Sequence, residues 1–167
     1  MQSLREGGRD AVQALGSDGL EGVLALNNAH AQELSWLEMD ALARMGGQAF
    51  AAWRVGEADA LLLAFDQDAD YGSPNFVWFR ERLDRFVYVD RVVVAEHARG
   101  RGLARKLYAA LFEAARGAGH TRIVCEVNRV PPNPASDAFH AALGFREMGE
   151  AAIHGGSKTV RYLICDL

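Results

Sequence analysis

Cysteine is scarce in this sequence: Cys125 and Cys165 are the only two among 167 residues. Each lies in an apolar stretch, which reads as buried, reduced thiol in a fold held by its core and not by a disulfide framework. Long apolar runs are missing as well. Nothing approaches the roughly 20 residues of a membrane-spanning helix, and the opening stretch MQSLREGGRD has no apolar signal-like core. A cytoplasmic protein that engages no membrane is the expectation. Positive charge is not in excess either; the formal net charge is −4, which argues against a nucleic-acid partner. No repeat, low-complexity tract or long linker divides the chain, so residues 1–167 read as a single domain of ordinary length.

Several chemical signatures are also absent. There is no G-x-S-x-G nucleophile elbow and no G-K-[ST] of a P-loop. The dinucleotide fingerprint fails because Gly100-Arg101-Gly102 is followed by Arg105 where a third glycine belongs. His30, His97, His120, His140 and His154 stand too far apart for a zinc spacing. Asp66, Asp68 and Asp70 begin like a calcium loop, but Tyr71 replaces the required glycine and Val77 the bidentate glutamate. No metal is expected.

What is present is a soluble globular balance, 50% apolar and 24% charged, organised as alternating helices and strands. A short strand is expected within Asp10–Leu15, then helices over Asp18–His30 and Ser35–Met45. The second opens on Ser35-Trp36-Leu37-Glu38, the pattern of a capping box, and closes at Gly46-Gly47. Phe50–Val55 and Ala60–Asp66 read as a hairpin. An aromatic insert over Gln67–Leu83, with a short helix at Asn75–Arg82, either caps the core or lines a ligand groove. Arg85–Val94 is a strand rich in Val, Phe and Tyr. Leu103, Leu107, Ala110, Leu111 and Ala114 then recur at helical spacing. Thr121–Val127 is a further strand. Asn133 caps a helix with Pro134 in its first position, ending at Gly144. Phe145–His154 and Lys158–Asp166 finish as a strand pair. The class is α/β with a mixed sheet.

The chemically informative stretch is strand, then Arg99-Gly100-Arg101-Gly102-Leu103-Ala104, then helix. The two glycines allow a tight turn and a close backbone approach. The helix start offers unpaired N–H groups and the positive end of its dipole. Together they form a cradle for a diphosphate. Arg99, Arg101, Arg105 and Lys106 add charge at its rim, a basic spot on an acidic chain that suits a discrete anionic ligand.

Val92-Val93-Val94 followed by Arg99–Ala104 resembles the acetyl-CoA motif of the GNAT superfamily of N-acetyltransferases, an Arg/Gln-x-x-Gly-x-Gly/Ala turn after the fourth strand. Downstream, Asn133, Ser136, Phe139, His140, Leu143, Gly144 and Phe145 resemble that family's Asn-x-x-Ala/Ser…Leu-Gly-Phe segment. The resemblance implies an acyl-CoA N-acyltransferase fold, a mixed and mostly antiparallel sheet of six to seven strands flanked by about four helices. It implies acetyl-CoA as cosubstrate and a primary amine of a small molecule or peptide as acceptor, with direct transfer in a ternary complex. A homodimer is a further expectation. The alternative is a CoA-binding sensor module with little turnover.

Residue by residue, the resemblance puts the pantetheine arm against the backbone of Val92, Val93 and Val94, with the Val94 N–H polarising the thioester carbonyl. The N–H groups of Arg101 to Ala104 would hold the diphosphate, and Asn133 and Ser136 are further cofactor candidates. Many relatives carry a tyrosine where this chain has His140. A histidine there can supply the general acid, or it is a core side chain bonded to a backbone carbonyl. Asp90 and Glu126 are candidates for the general base, with Glu33 and Glu38 behind them. Tyr88 and Tyr108 are alternative proton donors.

Overall fold

The computed structural model describes Gly8 and residues 10–167. Val, Ile, Leu and aromatic residues concentrate in the strand segments, while stretches of apolar residues at helical spacing form the helices. In chain order these are β1 (Val12–Ala14), α1 (Leu20–Ala29), α2 (Ala31–Leu34), α3 (Met39–Gln48), β2 (Ala51–Val55), β3 (Ala60–Asp66), α4 (Pro74–Arg80), β4 (Val87–Val94), α5 (Leu103–Gly117), β5 (Arg122–Val130), α6 (Pro134–Ala142), β6 (Arg146–Ile153) and β7 (Lys158–Asp166). The strands hydrogen-bond in the order β1-β2-β3-β4-β5-β7-β6. The β1–β2, β2–β3, β5–β7 and β6–β7 pairs are antiparallel, and β4 runs parallel to β5. This is the mixed, mostly antiparallel sheet the motifs implied.

By contacts the chain forms two compact units, Met1–Phe65 with Asp90–Glu113, and Asp66–Val89 with Ala114–Leu167. In the first, the β2–β3 hairpin is in register from Ala51↔Ala64 to Val55↔Ala60. Every residue of Ala60–Phe65 is fully buried, the continuous apolar run of a strand covered on both faces. Val23 and Leu26 of α1 and Leu42 and Met45 of α3 are buried. So are Leu103, Leu107 and Leu111 of α5, together with Tyr108.

One helix start departs from the sequence expectation. The Ser35–Glu38 capping box does not form, because α3 begins at Met39 and Glu38 makes no side-chain cap. The Asn28 side chain instead binds both backbone groups of Leu37: Nδ2 donates to its carbonyl at 3.0 Å and Oδ1 accepts from its N–H at 2.9 Å. Asn27 Nδ2 donates to the Ser35 carbonyl at 3.0 Å. These bonds from α1 hold residues 35–37 out of the helix, with Ser35 at φ 68°. At the other end, Gly46 and Gly47 lie inside α3 and do not stop it.

In the second unit, the aromatic insert caps the core. Phe76 and Phe79 of α4 are fully buried. Phe76 meets Phe86 and Tyr88 with centroids 5.7 Å apart, and Phe79 meets Tyr162 at 5.2 Å. Trp78 stacks on Tyr162 at 4.0 Å and 16°, and the Arg82 guanidinium lies 3.9 Å from the Trp78 ring centroid. This stack needs Gly149. A Cβ there would sit 2.7 Å from Trp78 Cζ2 and 2.9 Å from Cη2, beside the irregularity in the β6–β7 ladder between Glu147 and Gly149. Gly149→Ala should therefore displace the Trp78 ring and destabilise the fold by about 1–3 kcal/mol. Chemical denaturation followed by tryptophan fluorescence measures this, and an unchanged midpoint would show that the ring yields freely.

Candidate active site

The C-terminal half of β4 alternates. Arg91 and Val93 are buried, whereas Asp90, Val92 and Val94 are half-buried and share the opposite face. The strand leads into a short 3-10 turn, Glu96–Ala98, and then into the glycine pair. Gly100 has φ 82° and Gly102 φ 70°, a left-handed backbone that glycine adopts without a steric penalty. A Cβ on either would meet nothing within 4 Å, so this stretch of backbone is open to close approach. Gly102 starts α5, its carbonyl accepting from Lys106 N–H at 3.0 Å. The N–H groups just after Gly102 have no helix carbonyl four residues before them to donate to, and face outward along the helix axis. The turn thus has the geometry of an anion cradle, and the residues fit a diphosphate.

The basic rim is not uniform. Arg99, Arg105 and Lys106 are exposed, but Arg101 is half-buried and engaged by two carboxylates. Its Nη2 donates to Asp10 Oδ1, and Nη1 and Nη2 each donate to Asp59 Oδ2 at 3.3 Å. Asp59 Oδ1 is 3.0 Å from His97 Nε2. The hydrogen bond from His97 and the pairing with Arg101 hold the Asp59 carboxyl below its ordinary value, against burial that pushes it up.

Asp90 is committed in a different way. Its side chain is 4% exposed and ion-paired to Arg91 Nε at 2.7 Å, and Arg91 Nη1 donates to Asn27 Oδ1 at 2.8 Å. The carboxylate balances a buried guanidinium tied to α1. That is a structural demand competing with any role as general base.

Glu126 lies on β5 and is held by neutral donors. Tyr88 Oη donates to Glu126 Oε2 at 2.7 Å, and Asn75 Nδ2 to Oε1 at 3.1 Å. The Asn75 amide oxygen in turn accepts from Tyr162 Oη at 2.9 Å. Tyr162 has its pKa raised, by burial first and then by the Glu126 charge. The parallel register Tyr88↔Val124 puts Tyr88 and Glu126, two residues on from Val124, on one face of the sheet. Two residues picked separately from the sequence are therefore joined by one short hydrogen bond.

In α6, Asn133 caps as expected, its Oδ1 accepting from Ser136 N–H at 3.2 Å. His140 is 5% exposed. Its Nδ1 lies 2.8 Å from the Ser136 carbonyl and 3.3 Å from Ser136 Oγ. A carbonyl only accepts, so in the neutral ring the proton belongs on Nδ1. Its ring packs edge-on against Phe139 and Phe145, and burial lowers its pKa below the usual 6.5. These are the features of a core histidine bonded to a backbone carbonyl, the second of the two readings for this position.

A model of the acetyltransferase (GNAT) family matches residues 75–145, the stretch holding β4, the glycine turn, α5, β5 and α6. Over this stretch the chain is similar to the GNAT family. No curated protein sequence matches it. Among solved structures, a NatC complex bound to Gag peptide and CoA aligns over 94% of this chain and 98% of its own, at 14% identity and TM-score 0.73. The ribosomal-protein-alanine N-acetyltransferase from Brucella melitensis aligns over 94% and 99%, at 20% identity and TM-score 0.71. Arabidopsis thaliana NAA60 in complex with a bisubstrate analogue aligns over 93% and 97%, at 13% identity and TM-score 0.73. At these identities the likeness is one of fold.

Sequence reasoning missed Asn75, Tyr162, Asp10, Asp59 and Asn27. Each makes its contact with a residue far away in sequence, and no local spacing marks it. Of the other carboxylate candidates, Glu38 accepts from Trp36 Nε1 at 3.3 Å on an exposed loop, and Glu33 lies on the four-residue α2. Tyr108 is fully buried, its ring packed edge-on against Phe112.

The lowered pKa of His140, and that of His120, also lowered chiefly by burial, have a sign. Each ring resists protonation in the fold and takes a proton more readily in the unfolded chain. Their stabilising effect is complete above the unfolded value of 6.5 and drains as pH falls below it toward the lowered folded value. The slope is at most about 1.4 kcal/mol per pH unit for each histidine. Unfolding midpoints between pH 7 and 5, on the order of the range where histidine titrates, should fall less steeply in His140→Phe than in the native chain. Identical slopes would show that His140 contributes nothing to the acid sensitivity.

Proposed function

We propose that this chain is an acetyl-CoA-dependent N-acetyltransferase that passes the acetyl group directly to a primary amine of a small molecule or peptide in a ternary complex. The observation that carries this reading is the open, positive-φ turn Gly100-Arg101-Gly102 between β4 and α5, within the segment that the GNAT model matches. Relatives of the same fold are described as bound to a peptide and CoA or as an agmatine N-acetyltransferase, which supports both acceptor classes. A cytoplasmic setting, no membrane or nucleic-acid partner and a homodimeric assembly complete the proposal.

In this reading the N–H groups of Arg101, Gly102, Leu103 and Ala104 hold the diphosphate, with Arg99 at the rim. Val92, Val93 and Val94 present backbone to the pantetheine arm, and Asn133 and Ser136 add polar contacts. The Val94 N–H donates to the thioester oxygen, where negative charge grows as the amine attacks the carbonyl carbon. Glu126 takes the proton that the attacking nitrogen sheds, directly or through a water, as the C–S bond breaks. Tyr88 and Asn75 hold its carboxylate in place by hydrogen bonds. Asp90, paired with Arg91, is the weaker candidate base. His140, if it acts as an acid, must first gain a proton that its surroundings disfavour.

The engagement of Asp90 and His140 gives some weight to the second reading, a CoA-binding sensor with little turnover. Calorimetric titration with acetyl-CoA, with dephospho-CoA and ATP as controls, tests the site. A screen of amines reporting free thiol then separates the two readings. Binding without amine-dependent thiol release would favour the sensor.

Two variants test the assignments. Gly102→Val brings a β-branched side chain into a left-handed position and into the approach of the ligand, so acetyl-CoA affinity should fall while the fold persists. Unchanged affinity would remove the diphosphate from this turn. Glu126→Gln should lower turnover by roughly 10²–10⁴-fold, the usual worth of a general base, while acetyl-CoA still binds. Turnover equal to the native enzyme would exclude Glu126 as the base.

A further inference from the structure

The geometry points to Asp59 as the residue that positions the diphosphate turn, acting through Arg101. This inference rests on the acetyl-CoA reading above and assigns to the β2–β3 turn a part in cofactor affinity. Asp59 meets the β4–α5 connection at three separate places. Its backbone carbonyl accepts from Ala95 N–H at 2.8 Å, where β4 ends. Its Oδ1 binds His97 at 3.0 Å in the 3-10 turn, and its Oδ2 binds Arg101 between the two glycines. A single residue therefore fixes the beginning, middle and end of the stretch from Ala95 to Arg101.

The need for such a template follows from the glycines. Gly100 and Gly102 give the turn its left-handed backbone but also leave it the most freedom to lose on ordering. Nothing packs where their side chains would be, so the glycines themselves supply no restraint. The side chain between them does. Arg101 is anchored at Asp10 and Asp59, which orients its own peptide and the two flanking ones. The β2–β3 turn leaves room for this arrangement, since Gly56 has φ 60° and a Cβ there would lie 2.9 Å from Asp59 Oδ2. A turn pre-set in this way does not spend ligand binding energy on its own ordering. Arg101 thus serves the anion indirectly: its charge goes to carboxylates and its backbone N–H remains for phosphate.

Calorimetric titration of the full chain with acetyl-CoA tests this in a double-mutant cycle of Asp59→Ala and Arg101→Ala. Each single variant should bind roughly fivefold to thirtyfold more weakly than the native chain, the ratio expected for an ordering cost of this kind. The double variant should bind no more weakly than the worse single one, because both changes break one clamp. Asp59→Glu, which keeps two acceptor oxygens, should recover part of the loss, and dephospho-CoA should show the same dependence on Asp59 because it retains the diphosphate. If Asp59→Ala fails to fold, Arg101→Ala reads the clamp from its other, half-exposed end. Native-like affinity in the folded single variants, or losses that multiply in the double variant, would overturn the clamp alone. Failure of the native chain to bind acetyl-CoA would overturn the functional reading, and the clamp with it.

Discussion

A carboxylate withdrawn from water has to be given donors, and the kind of donor decides what else the carboxylate can do. Asp59, Asp90 and Glu126 show three solutions. Asp59 shares its oxygens between an imidazole and a guanidinium. Asp90 is matched to a buried guanidinium. Glu126 takes its hydrogen bonds from a phenol and an amide. The first two are ionic and fix backbone: one at the glycine turn, the other by linking β4 to α1. The third is held by hydrogen bonds from β4 and α4.

Much of this was legible in the sequence because the signals were local. The glycine pair after a Val-rich strand, the Asn133-Pro134 helix start and the apolar spacing of α5 are each written within a few residues, and each appears where it was expected. The capping box at Ser35 was equally local and did not form. There the competing bonds come from Asn27 and Asn28, eight and nine residues away, and tertiary hydrogen bonds outweighed a motif of modest energy. Boundaries moved for the same reason, as when β5 ran on to Val130 opposite β7.

The site was half legible. Tyr88 and Glu126 stood out as chemically able residues, but their pairing depends on strand register, which no spacing within either strand encodes. Asn75 reaches Glu126 across 51 positions, and Arg101 reaches Asp59 across 42. Aspartate in a hairpin turn and asparagine beside a proline are ordinary turn residues until the fold brings them to a partner. His140 illustrates the converse. Its sequence position suggested chemistry, while its surroundings, two aromatic rings and a backbone carbonyl, describe packing.

The bonds from α1 to residues 35–37 have one more consequence. Asn28 grips both peptide groups of Leu37 much as a neighbouring strand would, and Asn27 takes the Ser35 carbonyl. The path of this segment is therefore held from outside, through bonds to its backbone. Trp36 is 64% exposed on this segment, whose backbone is held by the two asparagines. Sequence drift at that position can change the character of the surface without rerouting the chain, so the segment can diversify what it displays while the two asparagines keep its form.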